Sequence, residues 1–151
     1  IGKRVRIFPN SRIEVVSDNA SIIFEDNISI GQNFHVTAGS KLIIKKNTTI
    51  AENVMVTDID HDYKEIGKHI LDQKYIINKT EIGENCLIGF GAVIQAGTIL
   101  GKQCVVGANA VVRGTYPDYS VIVGVPGKII KRYNHENNKW QKTNSSGDYI
   151  N

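Results

Sequence analysis

The stretch VTDIDHDYKEIG, residues 56–67, packs one histidine among three aspartates: His61 with Asp58, Asp60 and Asp62. Imidazole takes up and returns a proton near neutral pH, so His61 is a candidate general base. A neighbouring carboxylate can orient such a ring or raise its pKa, and the spacing does not decide which aspartate would do so. The same residues also read as a solvated acidic loop with an incidental histidine. His35 and His69 are weaker candidates, and His135 lies in a polar tail.

What must position these groups is a repeat. From residue 82 the chain runs IGENCL, IGFGAV, IQAGTI, LGKQCV, VGANAV, VRGTYP. Aliphatics hold every first place (Ile82, Ile88, Ile94, Leu100, Val106, Val112), and the fifth place is mostly small (Cys86, Ala92, Thr98, Cys104, Ala110). A period of six fits neither a helix nor a meander, but it fits short parallel strands that turn a corner every six residues, three to a coil. Glycine recurs at the second place, where it is expected to allow a positive-φ turn. Upstream, Phe24, Ile30 and Val36, then Ile44, Ile50 and Val56, keep the spacing of six with eight residues between the runs, which predicts coils of 20. Asn27, Asn33, Asn47, Asn53 and Asn85 hold the fourth place, where asparagine tolerates a left-handed turn.

The expected organisation is therefore a β-helix over residues 1–126 with loop 58–75 extruded. A short amphipathic helix over 127–134 and a flexible polar tail over 135–151 would follow. Because the chain opens Ile1-Gly2-Lys3 already in register, upstream residues are expected to be missing. Cys86 and Cys104, 18 residues apart, should stack as reduced core filler, since stacked parallel side chains suit neither a disulfide nor a zinc site. Reduced thiols fit a cytoplasmic setting. A formal charge of +3 with dispersed lysines does not favour nucleic acid, and no apolar run is long enough to span a bilayer.

The stretches IAENVMVTDIDHD, IGENCLIGFGAVIQAGTILGKQCVVGANAVV and GVPGKIIKR together resemble the hexapeptide-repeat acetyltransferases. The nearest branch holds the galactoside, maltose and capsular or lipopolysaccharide sugar O-acetyltransferases, and the resemblance covers roughly residues 24–133. It implies a left-handed parallel β-helix, a homotrimer, and transfer of an acetyl group from acetyl-CoA to a hydroxyl of a sugar or glycan precursor, with no metal. By the same resemblance His61 is the general base, and Phe90 and Ala108 lie where relatives hold the pantetheine arm between two subunits. Lys128 and Lys131 approach the coenzyme phosphates, and Arg113 lies near the adenine. Thr37 falls in the acceptor pocket where some relatives have asparagine, and Leu87 stands where they have tryptophan, so their sugars do not carry over. The extruded loop would reach over a neighbouring subunit, with Tyr63, Lys64 and Tyr75 shaping the acceptor pocket. N-acetylation of an amino sugar or a xenobiotic, and a non-catalytic β-helix scaffold, are the rival readings. A zinc-dependent carbonic anhydrase of the same fold fits poorly, because His61 and His69 are too far apart in sequence.

Overall fold

The structure is a computed structural model that describes residues 1–150. The chain winds about six turns of a three-faced solenoid, consistent with a left-handed β-helix of hexapeptide repeats. The first face stacks β1 (Arg6–Ile7), β4 (Ser29–Ile30), β7 (Thr49–Ile50), β12 (Leu87–Ile88), β15 (Val105–Val106) and β18 (Ser120–Val123). The second stacks β2 (Arg12–Val15), β5 (His35–Ala38), β8 (Met55–Thr57), β13 (Val93–Ile94) and β16 (Val111–Val112). The third stacks β3 (Ser21–Phe24), β6 (Lys41–Ile44), β11 (Glu81–Ile82), β14 (Ile99–Leu100) and β17 (Thr115–Tyr116). Within these ladders every pairing is parallel.

The repeat explains the packing. All the first-place aliphatics from Ile82 to Val112 are buried, and so are the small fifth-place residues between them. Polar atoms that enter this core are satisfied: the Thr98 hydroxyl donates to the carbonyls of Gln95 and Val112, and the Thr48 hydroxyl donates to Gly83 while accepting from the Cys86 N–H. Cys86 and Cys104 are both buried and unbridged. The Cys86 thiol is pushed up by its hydrogen-bonded neighbour Cys104 and then by burial, so it is protonated at neutral pH.

Turn chemistry departs from the expectation for glycine. The left-handed conformation falls on the fourth place, with Asn27, Asn33, Asn47, Asn53 and Asn85 all at φ between 58° and 62°. The second-place glycines do not share it. They are needed because the next coil is too near: a Cβ on Gly83 would strike the Gly101 carbonyl, and one on Gly89 would strike the Ala108 nitrogen. Asn side chains also bond down the corner, Asn27 to Asn47 and Asn33 to Asn53, each at 2.9 Å.

Coil length varies along the axis. Ser29 pairs with Thr49 and His35 with Met55, the expected 20 residues, and Leu87 pairs with Val105 after 18. The extra pair in the longer coil is absorbed between β5 and β6, two four-residue strands joined by Gly39 and Ser40. The last coil is shorter, with Val105 paired to Val121.

The C-terminal segment corrects two expectations. Residues 127–134 form no helix: Lys128–Asn134 is a strand, β19, antiparallel to β18. Nor is 135–151 a featureless tail, because β20 (Lys139–Lys142) pairs antiparallel with β19, and Thr143 bridges Tyr149. The physical reason is the edge of β18, whose unpaired backbone groups are satisfied by an added strand. Ile129 is buried while Lys128 and Lys131 face outward on this strand, a pattern that a single helical turn would also give. Among the described residues no helix is long and apolar enough to cross a membrane.

Gly83→Ala is expected to lower stability by roughly 1–3 kcal/mol, because the methyl would overpack a backbone contact that cannot yield easily. Thermal unfolding followed by circular dichroism checks this, and Asn47→Gly, which keeps the left-handed turn, should change the midpoint far less.

Candidate active site

Between β8 and β11 the chain leaves the prism as a hairpin. Its arms are β9 (Ile59–His61) and β10 (Tyr75–Ile77), antiparallel with Tyr75 opposite His61. The loop between them is held from within: the Gln73 side chain bonds the backbone of Glu65 and Lys68, and a short 3-10 turn spans Ile70–Asp72. Gly39 gives the hairpin room to lean on the helix, since a Cβ there would meet Ile59 and Ile77.

Each aspartate of the histidine-bearing break has a partner other than the imidazole. Asp58 is fully buried and accepts from the Gly39 N–H at 2.6 Å, the Ser40 N–H at 2.9 Å and the Ser40 hydroxyl at 2.6 Å. Its own carbonyl accepts from the Asn78 N–H, where the hairpin returns. Asp58 is thus a clamp between two coils. Asp60 pairs with Arg113 at 2.7 Å, which ties the hairpin across the edge of the lower coils. Asp62 caps its own turn by accepting from the N–H groups of Tyr63 and Lys64. The expected orienting carboxylate is therefore missing from all three positions. The neighbour that His61 does have is the Tyr75 ring, edge-on at 5.0 Å.

His61 stands exposed at the rim of a cleft of about 390 Å³ on the second face. The floor is the outward side of three stacked strands: Arg12 and Glu14 from β2, His35 and Thr37 from β5, and Met55 and Thr57 from β8. Ile59, Leu71 and Tyr75 of the hairpin form its apolar wall. A hydrogen-bonded chain crosses the floor, with His35 Nε2 and Thr37 Oγ1 at 3.0 Å and Thr37 Oγ1 and Glu14 Oε2 at 3.5 Å. Imidazole, hydroxyl and carboxylate groups beside an apolar wall suit a polyhydroxylated molecule with one apolar face.

Of the residues expected to shape the acceptor pocket, Thr37 and Tyr75 line this cleft. Tyr63 does not; it is 69% exposed on the loop. Phe90 and Ala108 do stack one coil apart, at the edge between the first and second faces, with the Asn109 N–H donating to the Phe90 carbonyl. Neither the Phe90 nor the Ala108 N–H has an acceptor among the described residues. Lys128 follows Gly127, whose N–H bonds the Val111 carbonyl, and so begins at that same edge. Lys131 lies further across the first face, opposite Val121. Arg113 is engaged with Asp60 rather than standing free. Beneath it, the buried Tyr116 phenol, raised by burial, donates to the carbonyls of Arg113 and Gly127. No group of three or more metal-ligating side chains occurs among the described residues.

Sequence reasoning missed Arg12 and Glu14 and gave His35 little weight. The signal for them is the stacking register, which places Arg12, His35 and Met55 in one column and Glu14, Thr37 and Thr57 in the next. That register needs the length of the first coil, and Arg12 pairs with His35 after 23 residues rather than 20.

A solenoid of six-residue repeats, interrupted once to lean a histidine over an open face, defines a hexapeptide-repeat architecture. Residues 79–113 match the family profile described as the hexapeptide repeat of succinyl-transferase. The putative lipopolysaccharide biosynthesis O-acetyl transferase WbbJ of Escherichia coli K12 is 36% identical over 132 residues, 80% of this chain and 65% of that protein. The chain thus spans just under two thirds of that relative's length. Among solved structures, the N-acyltransferase AntD from Bacillus cereus, in complex with dTDP and 3-hydroxybutyryl-CoA, superposes with a TM-score of 0.75 at 18% identity, covering 89% of this chain and 72% of that one. A maltose O-acetyltransferase from Clostridium difficile 630 gives 0.62 at 26% identity, covering 89% and 70%. Residues 79–113 thus carry the hexapeptide repeat, and over most of its length the chain is similar to acetyltransferases.

Replacing Asp58 by Ala leaves one buried and two half-buried donors without an acceptor and should cost about 3 kcal/mol, with Asp58→Asn between it and wild type. Urea unfolding of the three proteins checks the order.

Proposed function

We propose that the protein is an acetyl-CoA-dependent O-acetyltransferase acting on a sugar or glycan precursor in the cytoplasm, as in the modification of cell-surface polysaccharide. The observation that carries this reading is the cleft itself, with an exposed imidazole at the rim of a floor of hydroxyl, carboxylate and imidazole groups. The matched repeat and the sugar O-acetyltransferases among the chain's relatives support the choice of acetyl group and acceptor class.

In this reading His61 takes the proton of the acceptor hydroxyl as its oxygen attacks the thioester carbonyl. The tetrahedral oxyanion then collapses, the C–S bond breaks, and the imidazolium returns the proton to the departing thiolate. Thr37, Glu14 and Tyr75 hold the sugar, and His35 acts through Thr37. The free N–H groups of Phe90 and Ala108 bond the pantetheine arm, and an amide at that edge steadies the oxyanion. Lys128, at the same edge, neutralises coenzyme phosphates, whereas Lys131 lies further across the first face.

The same geometry supports a trimer. His61 leaves at the edge between the second and third faces, whereas Phe90 and Ala108 lie at the edge between the first and second. The whole second face separates the two groups in one subunit, so a second copy must bring its coenzyme edge to the histidine. The hairpin loop supports such a contact, with Ile66 97% exposed and Leu71 and Tyr63 each about 70% exposed.

Thiol release from acetyl-CoA over a panel of sugars and nucleotide sugars tests the reaction. His61→Ala should lower turnover by about 10²-fold or more with the fold unchanged. Undiminished turnover would remove His61 from the role of base. Sedimentation should give a trimer for wild type and smaller species for Ile66→Asp combined with Leu71→Asp.

A further inference from the structure

The C-terminal strands carry a feature that acetyl transfer does not use. At the edge between the third and first faces, Tyr119, Tyr133, His135 and Trp140 form an aromatic box that Gln103 closes around a cavity of about 190 Å³. The rings meet mostly edge to face: Tyr133 lies 5.0 Å from His135 and 5.7 Å from Trp140, and Tyr119 lies 5.1 Å from His135. Trp140 is 42% exposed, so one wall of the box is open to solvent. The space is smaller than the roughly 300–1,000 Å³ of pockets that enclose a drug-sized molecule, and it has room for one planar ring.

The charges beside the box point to the rest of the ligand. Tyr133 and Trp140 are opposite each other on β19 and β20, and two residues along the same ladder Lys131 is opposite Lys142. Alternation puts both pairs on the same side of the sheet, about 7 Å apart. Like charges directly opposite one another destabilise a sheet. Neither lysine takes part in an ion pair among the described residues; of the carboxylates nearest along the chain, Glu136 sits in the turn that follows His135 and Asp148 accepts from the Asn144 side chain. An unpaired cationic pair one step from an aromatic slot matches a flat heterocycle with a phosphate attached a short distance away. Gln103 offers an amide with both donor and acceptor for the ring edge.

We infer that this box and the Lys131–Lys142 pair form a binding site for a nucleoside phosphate, with the base among Tyr119, Tyr133, His135 and Trp140 and the phosphates on the lysines. The site lies across the first face from Phe90 and Ala108 and does not depend on the acetyl-transfer reading. Two sources supply this chemistry, a free or sugar-linked nucleotide and the adenosine end of a coenzyme.

Trp140 is the single tryptophan of the chain and serves as the reporter. Its fluorescence should be quenched saturably by UDP and ADP, more weakly by uridine, and not by inorganic pyrophosphate at equal concentration. Tyr119→Ala should weaken nucleotide binding about tenfold, the scale of one lost stacking contact, while Tyr119→Phe binds as wild type. Lys142→Gln should reduce the preference for UDP over uridine. UDP quenching that persists under saturating coenzyme A assigns the site to a separate nucleotide, and quenching by coenzyme A that UDP displaces assigns it to a ligand shared with the coenzyme; both uphold the site. Absence of saturable quenching by every nucleotide, unchanged affinity in both Tyr119→Ala and Lys142→Gln, or a single-stranded oligonucleotide that outcompetes mononucleotides a hundredfold would overturn it.

Discussion

Everything in this molecule depends on one contact distance, the separation of successive coils at their corners. Backbone ladders on three faces bring each coil against the next so closely that Gly83 and Gly89 have no room for a β-carbon. Once that distance is set, the inside of the prism is a column in which like positions stack on like. Large aliphatics therefore line the corners, and Cys86 can sit over Cys104 without a bridge. The outside is a column too, and that is what brings Glu14, Thr37 and Thr57 into one line although 43 residues separate the first from the last.

Much of this was legible because a period of six has few solutions, and buried first-place residues from Ile82 to Val112 follow it without exception. The break, expected as a loop over 58–75, was equally legible as a departure from period, and His61 stands at the rim of a cleft there. The partners of the three aspartates were not. Asp58 bonds Gly39 and Ser40, one coil back and 18 or 19 residues away, and Asp60 meets Arg113 across 53 residues. Local spacing carries no information about such contacts; stacking register does, and in the long first coil that register is hard to assign. The C-terminal strand was misread because Lys128 to Arg132 is too short for periodicity to separate a turn of helix from a bulged strand, and the available edge of β18 decided the matter.

The hairpin shows how such a scaffold acquires chemistry. A regular coil presents its outward side chains on a flat face, where a small molecule would be open to water on one side. Leaning β9 and β10 over that face converts it into a cleft with an apolar wall. The hairpin's own residues are largely exposed, so it adds little to the core and relies on Asp58, the Asp60–Arg113 pair and the Thr80 hydroxyl, which donates to the Thr57 carbonyl at its base.

The clamp at Asp58 has one more implication. Because entry and exit of the excursion are fastened by a buried carboxylate and a backbone bond to Asn78, residues 62–74 are mechanically insulated from the prism. Their sequence can drift, lengthen or be exchanged without the stacked coils registering the change. The plan is that of a replaceable tool head on a fixed handle, in which the wall of the cleft is carried by a segment whose failure would not unfold the rest.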